Sequence, residues 1–325
     1  MKKASLVFVS LSLIIASLVL SMNVANYRAM PSAYAQTNAA MFASLVTSDN
    51  NNGNIIMNSA MASSDMTNSS TAATAVTSNT TEGLQIKRGV NYFDSASGYL
   101  VYPSVVNNND TAAGTASSSK KFPAVIMIHE NRGLNDNIIN MANTLAKEGY
   151  AVLAVDLFKG QVAQTSEQAQ QLASSARSNS ALTISNLQAA VKYVSSLPFV
   201  DSSKIASIGW CFGGGQSLRL ALHSQQHPLV ATILYYGTPL VTDKQELAKI
   251  KWPVLGIFGD KDQAIPLPNI QQFKAALDAS NIPNEIHIYK GLGHPSANPS
   301  GANYAPKETV DAWQKTLEFL KKYTT

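Results

Sequence analysis

The chain has 325 residues, 45% of them hydrophobic and 14% charged, with a formal net charge of +4 and one cysteine. One cysteine excludes an internal disulfide framework. A small positive excess spread along the chain leaves no basic stripe for nucleic acid, so none is expected as a partner.

The chain opens on the basic Met1-Lys2-Lys3, followed by an uncharged apolar run from Ala4 to Met22 and a small-x-small pattern at Ala33-Tyr34-Ala35. Residues 1–35 therefore read as a signal peptide or membrane anchor. Either outcome makes the protein extracytoplasmic, secreted or facing outward, and the uncleaved form would be tethered through the apolar run. Residues 36–82 are dominated by Ala, Ser, Thr, Asn and Met. Such a stretch buries too little apolar surface to offset chain entropy, and it reads as a disordered stalk. Asn68, Asn79 and Asn109 stand in glycosylation sequons.

Residues 83–325 suit one domain. Leu84 to Phe93 and Tyr99 to Tyr102 are predicted as antiparallel strands, and 107–119 as a polar surface loop. Ala124 to Ile128 is continuously apolar, as befits a central strand covered on both faces. Ile138, Met141 and Leu145 give Asn137 to Glu148 helical spacing. Tyr150 to Val155 is the next buried strand, and helices follow over 165–177 and 181–196. Further strands are predicted at Lys204 to Gly209, Leu229 to Tyr236, Val254 to Phe258 and Glu285 to Tyr289. Gly213 to His223 and residues 241–249, 268–280 and 306–322 read as helices. This alternation predicts an α/β fold, a doubly wound and mostly parallel sheet of about eight strands with helices on both faces. The short connection from Tyr236 to Val254 leaves no room for a cap domain, which predicts an open, shallow cleft.

Chemistry concentrates where strands end. Gly209-Trp210-Cys211-Phe212-Gly213-Gly214 is a strand–nucleophile–helix elbow with cysteine in the place usual for serine. So sharp a turn needs small residues two before and two after the nucleophile, here Gly209 and Gly213. Asp262, in Gly259-Asp260-Lys261-Asp262, and His294, in Gly291-Leu292-Gly293-His294, come later, each just past a predicted strand. Nucleophile, acid, histidine is the triad order of α/β-hydrolases. A thiol is a weak nucleophile, so His294 is expected to take its proton and Asp262 to fix the imidazole. Asp260 is a rival acid two residues away. His129-Glu130-Asn131-Arg132-Gly133 follows the first apolar strand, where this fold keeps a second oxyanion donor. The backbone amides of Asn131 and Phe212 are the candidates. Glu130 reads either as a surface carboxylate paired with Arg132 or as one close enough to Cys211 to share its proton. His223 and His227, four apart, lack a third ligand, and no metal is expected.

These four motifs together resemble the dienelactone hydrolase (carboxymethylenebutenolidase) family over roughly residues 84–322. The resemblance implies an α/β-hydrolase fold and a Cys211–His294–Asp262 triad. It also implies hydrolysis of an enol-lactone through a thioester acyl-enzyme without a cofactor, with Glu130 keeping the thiol quiet until substrate binds. Family members recognise a substrate carboxylate with arginines. One arginine position corresponds to Asn298, and Lys159 and Gly160 stand near the other. Lys159 is a point charge where a bidentate fork would sit. Trp210, Lys159 and Asn298 are the expected substrate-binding residues, and the expected partner is a small lactone or ester. The alternative is a surface-tethered, non-catalytic binding domain on a hydrolase fold, suggested by the stalk and the missing arginine.

Overall fold

A computed structural model describes residues 78–81, 83–104, 121–299 and 301–325. The expected signal peptide or anchor, nearly all of the stalk, the loop at 107–119 and the sequons at Asn68 and Asn109 lie outside these residues. Among the described residues no helix is long and apolar enough to cross a membrane.

Among the described residues nine strands form one sheet: β1 (Ser78–Thr81), β2 (Leu84–Asn91), β3 (Ser97–Pro103), β4 (Phe122–Ile128), β5 (Ala151–Ala154), β6 (Val200–Trp210), β7 (Ala231–Tyr235), β8 (Val254–Gly259) and β9 (Asn284–Tyr289). Their order is β1-β2-β3-β5-β4-β6-β7-β8-β9. The strands from β5 to β9 run parallel, and β1, β2 and β3 are antiparallel to their neighbours. The ninth strand, β1, falls at residues assigned above to the stalk. It pairs back on β2 across a turn with Gly83 at φ 75°. Strand addition at a sheet edge uses backbone hydrogen bonds and needs no apolar side chain, so a polar sequence concealed it.

The continuous apolar runs became the sheet's interior. Val125, Ile126, Met127 and Ile128 of β4 are fully buried, each large side chain contributing about 1.5–3 kcal/mol relative to exposure. The strand β6 begins four residues before the expected Lys204. It pairs with β4 at Val200 and again from Ile205, and the polar Asp201, Ser202 and Ser203 in the irregularity between carry no apolar signal. Seven helices cover the sheet among the described residues: α1 (Asp136–Lys147), α2 (Ser166–Ser178), α3 (Ser180–Ser195), α4 (Phe212–Leu222), α5 (Lys244–Leu247), α6 (Leu267–Ala279) and α7 (Pro306–Thr324). The helix expected over 241–249 is the four-residue α5. Asp243 caps it with hydrogen bonds from the Gln245 and Glu246 amides, which fixes its start.

The chain leaves β4 toward β5 on one side and later returns to β6 on the other side of β4. The loops after β4 and β6 therefore part company, and a crevice opens beyond their carboxyl ends. This switch point is where open α/β sheets bind ligands.

Candidate active site

Cys211 stands between β6 and α4 at φ 53°, ψ −117°. A non-glycine residue there is strained by about 1–3 kcal/mol. The surroundings hold it in place: the Cys211 N–H donates to the Tyr235 carbonyl at 3.0 Å, and the Cys211 carbonyl accepts from Gly215 N–H at 3.2 Å. The two flanking glycines are required by close approach. A Cβ at Gly209 would overlap the Gly213 carbonyl, and one at Gly213 would overlap the carbonyls of Ile128 and His129. The turn thus packs backbone against backbone on the end of β4.

Cysteine, histidine and aspartate, far apart in the chain, meet here. His294 Nε2 lies 3.0 Å from Cys211 Sγ, and His294 Nδ1 lies 2.9 Å from Asp262 Oδ2. Asp262 is buried, and its second oxygen accepts the Ala264 and Ile265 amides at 2.8 and 3.2 Å. It therefore orders its own turn and orients the imidazole at once. Asp260 is the rival that lost. Its carboxylate accepts the Gly291 amide at 2.6 Å and so ties down the loop that carries His294. Burial opposes a charged His294, but the hydrogen bonds and charges of Asp262 and Cys211 prevail and push its pKa up to about 10. Burial likewise works against the Asp262 carboxylate, and His294 with the two amides outweighs it, holding Asp262 below its ordinary value.

Glu130 is buried, 5% exposed, which overturns its reading as a surface carboxylate ion-paired with Arg132. Burial raises its pKa, and Asn298, His294, Tyr236 and Arg132 pull it partly back. Asn298 Nδ2 donates to Glu130 Oε2 at 2.5 Å, so the asparagine in place of the expected arginine reaches the site through this carboxylate. The sulfur's hydrogen-bond partner is His294, not Glu130. Two residues that sequence reasoning gave no role complete the surroundings. Fully buried His129 accepts the Leu157 amide on Nε2 at 3.2 Å, which leaves its Nδ1–H to donate to the Glu130 carbonyl at 2.6 Å. Burial lowers its pKa, in keeping with a neutral ring that pins the Glu130 backbone. Tyr236, at φ 39°, lays its ring edge-on to His294 with centroids 4.9 Å apart. Its place just past the end of β7, level with the elbow, was the available signal.

Phe212 is the first residue of α4, where an amide has no carbonyl within the helix to receive it. Asn131 sits half-buried in the turn after β4. Trp210 does not line the cleft as expected: it is 2% exposed and packs on Tyr235 at 5.4 Å between ring centroids. Consecutive strand residues point to opposite faces, so being next to the nucleophile in sequence carried it away from the cleft. Lys159 is also not brought to the cysteine. It sits 3.8 Å from Asp94 at the rim of a separate cavity of about 280 Å³ lined by Phe93, Leu157 and Leu172. His223 Nδ1 hydrogen-bonds the Arg219 carbonyl. Among the described residues no group of three or more His, Cys, Asp or Glu is placed to hold a metal.

Residues 110–324 match the family model described as "Dienelactone hydrolase family". A protein of Methylorubrum extorquens named "Putative carboxymethylenebutenolidase" is 30% identical over 216 residues, 62% of this chain and 72% of that protein. Among solved structures, a dienelactone hydrolase-like promiscuous phosphotriesterase from metagenomic libraries superposes with a TM-score of 0.64 at 21% identity, covering 75% of this chain and all of the other. A dienelactone hydrolase from Anabaena variabilis gives 0.50 at 20% identity, over 77% and 98% of the two chains. These distant likenesses carry the α/β-hydrolase fold.

Proposed function

The chain belongs to the dienelactone hydrolase family and is a hydrolase of esters or lactones; from that premise we propose that Cys211, His294 and Asp262 form its catalytic triad and that it acts on small neutral lactones or esters through a thioester acyl-enzyme. The observation that carries this reading is the unbroken chain of contacts from sulfur to imidazole to carboxylate, at 3.0 and 2.9 Å.

The steps follow from that geometry. His294, kept protonated near neutral pH by its raised pKa, already holds the thiol's proton on Nε2 as Sγ attacks the substrate carbonyl carbon. The carbonyl electrons move to oxygen, and the oxyanion is received by the Phe212 and Asn131 amides, donors of a kind worth about 2.7–4 kcal/mol each. The intermediate collapses, the C–O bond breaks, and His294 returns the proton to the leaving oxygen. Water then attacks the thioester carbon, His294 takes its proton, the C–S bond breaks, and the thiol is restored with release of the acid. Asp262 holds the ring in one tautomer throughout. Glu130, buried beside His294, gates the thiol. Preference for a neutral substrate rests on Asn298, an uncharged amide occupied with Glu130 where the resemblance places an arginine.

A panel of lactones, activated esters and thioesters tests the reading. Cys211→Ala should lower kcat/KM for the best substrate by at least about 10³-fold, and rapid quenching of the wild type should trap a thioester on Cys211. Full activity in Cys211→Ala would sink it. The same reading includes export, supported by the basic and apolar start of the chain. Recovery of the protein in the secreted or membrane fraction of its host is the check.

A further inference from the structure

The triad works only while His294 keeps Nε2 at the sulfur and Nδ1 at Asp262. Yet His294 follows Gly291-Leu292-Gly293, whose two glycines leave the backbone free to turn. The chain before His294 is fixed by backbone contacts to the loop that carries Asp262. The Gly291 amide donates to Asp260 at 2.6 Å, and the Leu292 carbonyl accepts from Lys261 N–H at 2.9 Å. A Cβ on Gly259 would overlap that same carbonyl. On the other side of His294 the anchoring is of a different kind. Among the described residues its carbonyl accepts from no backbone amide, and it accepts from Asn303 Nδ2 at 2.6 Å. Gly293 faces the same amide, since a Cβ there would come to 3.3 Å from Nδ2. Asn303 is exposed, on the wall of a cleft of about 510 Å³ that it shares with Lys261, Gln263 and His294. One exposed hydrogen bond contributes little to stability, so its consequence lies in where it holds the chain. It closes residues 294–303 into a loop, and Asn298, midway round that loop, holds Glu130.

We propose that Asn303 is a positioning residue, whose amide pins this loop on the His294 carbonyl and so sets how far Nε2 stands from Sγ and from where Asn298 reaches Glu130. The backbone on one side of His294 is anchored to the acid loop, and Asn303 anchors the other side. The ring is thereby kept from drifting along the line between sulfur and carboxylate. The inference rests on the proposed triad.

The test pairs steady-state kinetics on an activated ester with an NMR titration of the His294 ring, assigned by its loss in His294→Gln. Asn303→Ala removes an exposed amide, so the fold should stand. Per folded molecule, kcat should fall about tenfold or more while KM stays within about twofold, because small misplacements of reacting groups act on the chemical step. The His294 midpoint, about 10 in the wild type, should drop by about half a pH unit or more as the ring loosens from Asp262 and Cys211. Glu130 and Tyr236, which also face the ring, and Lys261 of the shared cleft are unaltered in this variant. Gly293→Ala is the second variant. Gly293 is not at a positive φ, and the new Cβ presses on the Asn303 amide. It should lower kcat about threefold in the wild-type background and by less than about 1.5-fold in the Asn303→Ala background. An unmoved kcat or midpoint in Asn303→Ala, a loss confined to KM, or equal effects of Gly293→Ala in both backgrounds overturns the proposal. If Asn303→Ala does not fold, Gly293→Ala alone decides, and an unmoved kcat there overturns it. The titration does not need turnover. Hydrolysis retained in Cys211→Ala would remove the triad, whereas an unmoved His294 midpoint in Asn303→Ala would remove the positioning role.

Discussion

Just beyond β5, the Asp156 carboxylate accepts the Ser97, Phe158 and Gly160 amides at 3.0, 3.0 and 2.6 Å. Tyr92 bridges the Asp156 amide and Asn186, and Asn186 returns a bond to the Asp156 carbonyl. Beyond the ends of β4 and β6, by contrast, Cys211 is strained and Glu130 is a carboxyl whose charge burial disfavours. Both clusters lie at the carboxyl edge of one sheet, yet one is relaxed and fully hydrogen-bonded and the other is strained. A saturated polar network holds its loops in one arrangement. A strained one keeps free energy in reserve for a bound substrate. The difference teaches that burial of polar groups does not by itself mark the reactive site on this sheet, whereas a strained nucleophile beside a carboxyl with a disfavoured charge does.

Three substitutions separate the clusters. The largest effect is expected from Asp262→Asn. Its Oδ1 can still accept the Ala264 and Ile265 amides, so the fold should stand, but kcat/KM should fall on the order of 10³–10⁴-fold because the imidazole loses its orienting anion. The stability difference between wild type and this variant should also depend on pH. His294, raised from 6.5 to about 10, contributes stability that is full below about pH 6.5 and is lost as pH rises through about 10. Asp262, lowered from 3.8, contributes stability present above that value and lost as pH falls through its depressed pKa. Urea unfolding across the pH range should thus show a plateau between these limits. A difference that grows toward pH 10 would contradict the pairing.

The second effect is opposite in kind. Asp156→Ala should cost on the order of 3 kcal/mol of stability, since three amides, that of Phe158 buried, lose their acceptor. Activity per folded molecule should drop by less than about tenfold. If hydrolysis collapses while stability is unchanged, the two clusters have been assigned the wrong way round. The smallest effect is expected from Cys211→Gly. Glycine tolerates φ 53°, so this variant should gain about 1 kcal/mol in stability while losing hydrolysis. A thermal melt with no gain would show that the elbow stores no strain.

Most of the sheet could be read from the chain because its interior strands are written as unbroken apolar runs, such as Ala124 to Ile128 and Val254 to Phe258. The three residues now in contact were legible because Cys211, Asp262 and His294 each follow such a run, and parallel strands bring their carboxyl ends to one edge. Small-residue spacing around Cys211 reported a local steric need and was met at Gly209 and Gly213. Residues next to a motif were less legible. Trp210 is beside the nucleophile yet faces the core, and Lys159 follows a strand yet turns to Asp94.

The amino-acid sequence by itself determined the strand and helix pattern, the elbow and the order of the reactive groups, because backbone sterics and hydrophobic periodicity act over a few residues at a time. The tertiary structure alone decided that Glu130 is buried against Asn298, that Tyr236 packs edge-on to His294, and that β1 extends the sheet. Each of those outcomes depends on which distant segment arrives as a neighbour. Hydrogen bonding and desolvation are set by that neighbour, and no local pattern in the chain encodes it.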